Sequence, residues 1–94
     1  MEFFQLELPM RIAELIAIAS IRSGKERKAL AREMGIEASR LSNLASGKLK
    51  ATASEIAYLA TAAQTDVLQA IADVETEREP KMAPIWQLAM AAKS

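Results

Sequence analysis

The sequence predicts an all-α domain, and three observations support this fold class. Of the 94 residues, 51% are apolar but only 4% are aromatic, and the abundant alanine suits closely packed helices. Apolar residues recur three and four positions apart over most of the chain, as they do on the buried face of a helix. Proline, glycine and helix-capping residues divide the chain into segments of helical length. A chain of this size forms one domain with one modest core.

The first nine residues differ from the helical pattern that follows them. Phe4, Leu6 and Leu8 alternate with polar residues, which is weakly typical of a strand. Pro9 suits the first turn of a helix, so we expect helix 1 to cover about residues 10–21. This helix is apolar around much of its circumference, which indicates that it is buried on several sides or shared with a partner.

Helices 2 and 3 are separated by a tight turn. Ser23 is followed three residues later by Glu26, which fits a capping box that opens helix 2. Gly35 suits a turn that requires a positive φ, so helix 2 should end near Met34 and helix 3 should cover about residues 38–45. Gly47 is a suitable stop for helix 3.

The apolar residues of this segment have the spacing of a helix-turn-helix. Those expected to form the shared core of the two helices are Leu30, Ala31, Met34, Ile36, Leu41 and Leu44. The small Ala31 allows the second helix to approach closely. The pattern is typical of proteins that place their second helix in the major groove of duplex DNA.

Three further helical segments follow. Thr52 or Ser54 can cap helix 4, and Thr65 can cap helix 5. Their expected apolar faces consist of Ile56, Leu59 and Ala60 in helix 4, and of Val67, Leu68, Ile71 and Val74 in helix 5. We expect a charged hinge at residues 75–81 and a last helical segment at residues 84–92. The chain therefore divides into an N-terminal extension (1–9), a helix-turn-helix domain (10–79) and a C-terminal helical tail (80–94).

The charges are unevenly distributed although the net charge is zero. Residues 22–50 contain eight basic and three acidic residues, a net charge of +5, whereas residues 51–80 contain one basic and six acidic residues, a net charge of −5. Salt screens charges beyond roughly 8–10 Å. A basic helix-turn-helix can therefore attract phosphates despite the neutral total.

Several short motifs of this segment resemble those of the lambda-repressor/Cro-type helix-turn-helix family. They are Leu30-Ala31, Gly35-Ile36, Leu41-Ser42, Leu44 and Ser46-Gly47-Lys48. The resemblance covers about residues 10–74 and implies a five-helix DNA-binding core, here with an additional C-terminal helix. The acidic segment 67–75 and the tryptophan-containing tail also resemble small phage-associated regulators. Glu37 departs from the family, which often has Ser or Thr at this position.

The second helix of the pair supplies the candidate base-contacting residues. At about 100° per residue, the polar residues of this helix lie opposite its apolar face, and Arg40 flanks them. Asn43 can pair bidentately with adenine and Arg40 with guanine. The resemblance implies base contacts at Ala38, Ser39, Ser42 and Asn43, to which we add Arg40. The predicted phosphate contacts are Lys25, Arg27, Lys28, Ser46, Lys48 and Lys50.

Each of these roles has a plainer alternative. A stripe of Ser and Asn is also typical of an ordinary solvated helix face, and exposed lysines need no partner. Arg40 can contact a base, contact a phosphate, or pair with Glu33 or Glu37. Glu37 can cap helix 3 through its N–H groups, accept from a cytosine amino group, or repel phosphates.

A homodimer is expected because one short recognition helix contacts few base pairs and symmetric dimers read two half-sites. The apolar residues of both ends need a surface on which to dock. The predicted dimer-interface residues are Phe4, Leu68, Ile85, Trp86, Leu88 and Met90. The alternative is that both ends fold back onto their own core.

The composition argues against an enzyme. The chain has no Cys and no His, which removes thiolate metal sites and the commonest general base, and we expect no catalytic site, metal or cofactor. No apolar segment approaches the length of a membrane span. We therefore expect a cytoplasmic, sequence-specific DNA-binding regulator, with a phage or mobile-element repressor as the leading hypothesis. The alternatives are an excisionase-like DNA-bending factor and a protein-interaction module such as an antirepressor or antitoxin.

Overall fold

The computed structural model describes the backbone of residues 11–93 and the side chains of residues 11–92, and within this part it is all-helical. The predicted all-α class is therefore confirmed. The N-terminal extension, with its strand-like pattern and Phe4, lies outside the described residues. The α-helices of the described part are α1 (Ile12–Ser23), α2 (Arg27–Met34), α3 (Ala38–Ala45), α4 (Ala53–Ala62), α5 (Val67–Arg78) and α6 (Ala83–Lys93).

The turn between α2 and α3 has the predicted geometry. Gly35 has a φ of 75°, which costs a residue without a Cβ little energy. The Ile36 amide donates to the Ala31 carbonyl at 3.0 Å, and the Gly35 amide donates to the Arg32 carbonyl at 3.1 Å. This pair of hydrogen bonds is a Schellman motif. It ends α2 at Met34, as predicted, and directs the chain into α3.

Two predicted helix caps are wrong. Ser23 does not open α2, because Gly24 adopts a φ of 71° and ends α1 immediately after Ser23. The Ser23 hydroxyl accepts from the Lys25 amide at 3.2 Å instead. Thr65 does not cap α5, because its hydroxyl donates to the Ala60 carbonyl at 3.4 Å. Asp66, one residue later, accepts from the Leu68 amide at 3.3 Å and caps α5.

The charged hinge predicted at residues 75–81 is also wrong over most of its length. Helix α5 continues to Arg78. The Arg78 guanidinium pairs with Glu75 one turn earlier, at 2.8 Å, and donates to the Ala51 carbonyl at 2.9 Å. These contacts favour the last turn of α5 despite its charges. A single 3₁₀ turn, Pro80–Met82, then connects α5 to α6.

The core lies between α1, α3, α4 and α5, with α2 packed on α3. The largest fully buried side chains are Leu15, Ile16, Leu30, Leu41, Leu44, Ile56 and Leu59. Of the predicted helix-turn-helix core, Met34 and Ile36 are only partly buried against this cluster, and the other members are buried. Helix α6 packs mainly on α5, away from this core. Within residues 11–93, no helix combines the length and apolar character that a membrane crossing requires.

Candidate nucleic-acid interface

Helix α3 has two chemically different faces. Its inward face consists of Leu41 and Leu44, both completely buried. Its outward face carries Ala38, Ser39 and Ser42, all exposed. Because the inward leucines are packed between neighbouring helices, α3 is held in a fixed orientation with its short polar side chains turned to solvent.

The hydrogen-bonding groups of the outward face are available to a partner. The side chains of Ser39, Ser42 and Asn43 make no hydrogen bond to any other described residue. Asn43 is half-buried, and its amide carries two donors and an acceptor. Ser46 differs, because its hydroxyl donates to the Asn43 carbonyl at 3.2 Å. Of the predicted base-contacting residues, four therefore share one uncommitted face.

The loop after α3 continues this surface. The Lys48 and Leu49 amides donate to the Asn43 carbonyl at 2.9 and 3.3 Å, so the loop starts directly at the end of α3. Lys48 and Lys50 are exposed and form no ion pair within the described residues. These two of the four predicted phosphate-contacting lysines therefore lie in the loop that begins at the C-terminal end of α3.

The other predicted phosphate contacts fall into two groups. Arg27 and Lys28, in the first turn of α2, are exposed and have no ion-pair partner in residues 11–92. Lys25 differs, because its ammonium group is paired with the Glu33 carboxylate. Glu33 also accepts a hydrogen bond from the Tyr58 hydroxyl of α4 at 2.5 Å. Lys25 is thus paired within the α2 segment, and the separate contact between Glu33 and Tyr58 joins α2 to α4.

These contacts shift the pKa values of both partners of the Glu33–Tyr58 pair. The hydrogen bond from Lys25, followed by that from Tyr58, lowers the pKa of Glu33 below its usual value. Desolvation and the neighbouring Glu33 carboxylate raise the pKa of Tyr58 to about 12. Tyr58 therefore remains a neutral hydrogen-bond donor, and Glu33 a charged acceptor, over the physiological range.

Arg40 makes a contact that none of the sequence alternatives included. Its Nε and Nη2 atoms donate to the two carboxylate oxygens of Glu55, at 2.7 and 3.0 Å. Pairing with Glu33 or Glu37, one of the three sequence alternatives for Arg40, is not found, because the guanidinium extends toward α4. The side chains of Arg40 and Glu55 are 32% and 11% exposed. The hydrogen bond from Arg40 lowers the pKa of Glu55, and the hydrogen bond to Glu55 raises the pKa of Arg40.

Both helices of the pair start at a glutamate that does not act as a side-chain cap. Glu26 precedes α2 and Glu37 precedes α3, and neither carboxylate accepts a hydrogen bond from the described backbone at these helix starts. Capping by Glu37, one of the three sequence alternatives, is therefore not found. The Ala29 and Arg40 amides donate to the Glu26 and Glu37 carbonyls at 3.0 Å. The amides of the first two residues of each helix have no acceptor within the described residues, and helix N-termini favour anions.

The predicted dimer-interface residues of the described part lie on α5 and α6. Ile85 and Leu88 are 56% and 73% exposed, whereas Leu68, Trp86 and Met90 are half-buried. A shallow groove of about 330 Å³ between α5 and α6 is lined in part by Trp86 and Met90. Helix α6 thus covers part of α5 with one side and exposes aliphatic side chains on the other.

The sequence alone did not reveal the residues of α4 and α5 whose contacts hold α2, α3 and the following loop in place. Glu55 was recognisable as the third residue after Thr52, and the two form the capping box that opens α4. Its second role, as the acceptor for Arg40, has no local sequence signal because fifteen positions separate the two residues. Tyr58 and Arg78 were likewise not identified, since their partners are distant in the chain.

The described residues contain no group of three or more His, Cys, Asp or Glu side chains that could hold a metal ion. Comparisons of the chain with protein-family models, curated proteins and solved structures gave no match. What this surface can bind therefore follows from the contacts of its own residues. That surface combines a rigid helix with unpaired amide and hydroxyl groups and, beside it, exposed cations.

Proposed function

We propose that this protein is a non-enzymatic regulator of transcription that binds double-stranded DNA in a sequence-specific way through α3. The observation that carries the proposal is the two-faced character of α3. Leu41 and Leu44 are fully buried on one side, and Ser39, Ser42 and Asn43 offer uncommitted groups on the other. A slender polar helix held rigidly from behind suits insertion into a major groove, where donors and acceptors distinguish the base pairs.

The exposed cations beside α3 supply the contribution that does not depend on sequence. Arg27 and Lys28 in the first turn of α2, and Lys48 and Lys50 in the loop after α3, are all exposed. Phosphates attracted by such groups position a protein on the duplex, while base contacts select the site. Under this proposal, Ala38, Ser39, Ser42 and Asn43 face the bases.

The resemblance to lambda-repressor/Cro-type proteins supports a more specific form of the proposal. The protein would adopt that family's five-helix core, act in the cytoplasm as a repressor of phage or mobile-element type, and occupy an operator that polymerase needs. Occupancy alone accounts for repression, which agrees with a chain that lacks Cys and His and carries no recognisable catalytic motif.

The proposed regulator acts as a homodimer, since two α3 helices are needed to read a site of useful length. The exposed Ile85 and Leu88 of α6 are the candidate contact, and the half-buried Leu68 of α5 is a further candidate. A chain truncated after Glu79 should run as a monomer in light scattering while the full chain runs as a dimer. Truncated protein that remains dimeric would remove α6 from the interface.

The proposal is tested by measuring how duplex affinity depends on salt. Replacement Lys48→Ala should weaken binding to a labelled random-sequence duplex and reduce the slope of log K against log salt by about one. The matched control is Lys81→Ala, which removes the same charge between α5 and α6 and should leave the slope unchanged. Wild-type protein without measurable affinity at low salt would refute the proposal.

A second candidate function is supported by α6 rather than α3. Residues 83–92 contain no charged side chain, and a helix that is apolar on several sides is usually covered by a partner. The protein would then be an interaction module, such as an antirepressor or antitoxin, that forms a stable complex with a different protein. A heteromeric complex together with no duplex affinity would favour this candidate over the regulator.

A further inference from the structure

Arg40 stands between the proposed DNA-contacting face and the body of the protein. It lies in α3, next to the fully buried Leu41, and its guanidinium extends to the first turn of α4. Both carboxylate oxygens of Glu55 receive a hydrogen bond from it, at 2.7 and 3.0 Å. Such two-point pairing restricts the orientation of both side chains more than a single contact does.

Glu55 is itself fixed at the start of α4. Its carboxylate accepts from the Thr52 amide at 2.8 Å, and its own amide donates to the Thr52 hydroxyl at 3.1 Å. The Glu55 side chain is only 11% exposed. The Arg40 partner is therefore a preorganised acceptor whose position is set by the capping box of α4.

The same contacts hold the loop that carries the exposed lysines. The Arg40 Nη2 atom lies 3.5 Å from the Lys50 carbonyl, and Arg78 of α5 donates to the next carbonyl, that of Ala51, at 2.9 Å. Ala51 is buried. Two arginines from different helices thus contact consecutive carbonyls at the end of the loop, while the Asn43 carbonyl holds its beginning through Lys48.

We infer that Arg40 is a positioning residue rather than a reader of bases: through its two-point pair with Glu55 it fixes α3 and the loop 46–51 in one arrangement. The inference rests on the proposed DNA-binding function and assigns to Glu55, an acidic residue outside the helix-turn-helix, an essential supporting role. The pair neutralises the charge of Arg40 and holds its guanidinium against α4, so that DNA affinity depends on Lys48, Lys50 and the polar face being correctly placed.

Glu55→Gln is the most discriminating variant, because an electrostatic role and a positioning role of Glu55 predict opposite changes in duplex affinity. Removing a negative charge near a phosphate-binding surface should tighten duplex binding if electrostatics alone matters. Loss of the positioning contact should instead weaken binding by about three- to tenfold and reduce the salt slope. The probe is a labelled random-sequence duplex, with full-length protein, at a temperature where circular dichroism shows every variant to be folded.

The partner variants complete the test. Arg40→Gln should weaken binding at least as much as Glu55→Gln, because it loses the same contact and also removes a positive charge. The double variant should be no weaker than Arg40→Gln alone, because no further interaction is lost. Arg40→Lys keeps the charge but cannot form the two-point pair, so it should resemble Arg40→Gln. Arg22→Gln is the matched control: it removes one charge and one hydrogen bond, to the Ala63 carbonyl, and should have a smaller effect.

The outcomes separate this inference from the proposed function. Glu55→Gln that binds as tightly as wild type, while Arg40→Gln is weakened, would overturn positioning and restore Arg40 as a direct DNA contact. Wild-type protein that binds no duplex would overturn both the inference and the proposed function. Should Glu55→Gln be unfolded under the assay conditions, Glu55→Asp replaces it: a charged but shorter side chain should also weaken binding, and unchanged affinity would overturn the inference.

Discussion

The helix pairs α2–α3 and α4–α5 differ in whether side chains cap the N-termini of their helices. Helices α4 and α5 are capped by Thr52 and Asp66, whose side-chain oxygens accept from backbone amides at 3.1 and 3.3 Å. Helices α2 and α3 follow Glu26 and Glu37, whose carboxylates cap neither helix within the described structure. In the α4–α5 pair, a side chain therefore accepts from one first-turn amide of each helix, whereas α2 and α3 have no such side-chain cap.

The distribution of charge follows the same division. The segment with α2 and α3 has a net charge of +5, and the segment that follows it has a net charge of −5. Departures from good local stabilisation are expected at functional sites, where a group is kept available for a partner. The comparison teaches that the α4–α5 pair has a stabilising side-chain cap at each helix start, whereas α2–α3 lacks these caps and belongs to the segment with the excess of basic residues.

The largest expected effect separates the two faces of α3. Leu41→Ala removes a fully buried side chain and should lower the free energy of unfolding by about 2–5 kcal/mol. Ser42→Ala, on the neighbouring outward position, should change it by no more than about 0.5 kcal/mol. Thermal and urea unfolding measure both. Similar losses for the two variants would contradict the proposed orientation of α3.

A smaller effect is expected in sequence discrimination. If Asn43 reads a base, Asn43→Ala should reduce the preference for a selected site over random duplex by about 1–3 kcal/mol per half-site. Gln87→Ala in α6 removes a side-chain amide that is exposed and lies outside α3, and it serves as the control. An equal loss of affinity for selected and random duplexes would show that Asn43 makes no base-specific contact.

The absent caps of α2 and α3 give the next prediction. Glu37→Ser supplies a short oxygen at the N-cap of α3 and should raise the free energy of unfolding by about 1 kcal/mol. It also removes a negative charge beside the proposed phosphate surface, so duplex affinity should rise. Thr52→Ala at α4 should have the opposite effect on stability, of similar size. Destabilisation by Glu37→Ser would mean that the glutamate stabilises α3 in another way.

A substitution at the end of α4 should raise the free energy of unfolding by at most about 1 kcal/mol. Gln64 is the single non-glycine residue with positive φ in the described chain, at 61°. Its amide donates to the Thr61 carbonyl at 3.1 Å, and the next amide donates to the Ala60 carbonyl at 2.9 Å, which is the arrangement that glycine completes elsewhere. Gln64→Gly should raise the melting temperature, whereas Gln64→Ala should leave it nearly unchanged.

The fold was more predictable from sequence than the contacts that hold the site. The end of α2, the bounds of α3 and the turn at Gly35 follow from local spacing and from the conformational freedom of glycine, and the structure confirms them. The start of α2 was misassigned because Ser23 and Glu26 fit a cap by spacing alone. Gly24 adopts a left-handed conformation and ends α1 directly after Ser23, so Ser23 cannot also open α2.

Long-range polar pairs could not be predicted in this way. Arg40 and Glu55 meet only because α3 and α4 pack on a common core, and the local pattern offered Glu33 and Glu37 as equally plausible partners. Tyr58 likewise reaches Glu33 across twenty-five positions. Such pairs depend on how helices are arranged in space, whereas periodicity reports only which face of each helix is buried.

The smallest expected effect concerns these same pairs, which join the two regions compared above. Glu33 contacts Tyr58 of α4, Glu55 contacts Arg40 of α3, and the pKa of each carboxylate is lowered below its usual value of 4.5. A lowered pKa in the folded state means stability that is present above the unfolded-state pKa and lost as pH falls through the folded-state pKa. Melting temperatures should therefore decrease on acidification below about pH 4.5.

The two pairs should contribute unequally to this acid sensitivity. The Glu55 side chain is 11% exposed and that of Glu33 is 43% exposed, so solvent screens the second pair more strongly. Glu55→Gln should flatten the dependence of melting temperature on pH more than Glu33→Gln does, with Glu14→Gln in α1 as a control. A larger change for Glu33→Gln would mean that the contacts of Glu33 with Lys25 and Tyr58 contribute more to acid sensitivity than the pair of Arg40 and Glu55 does.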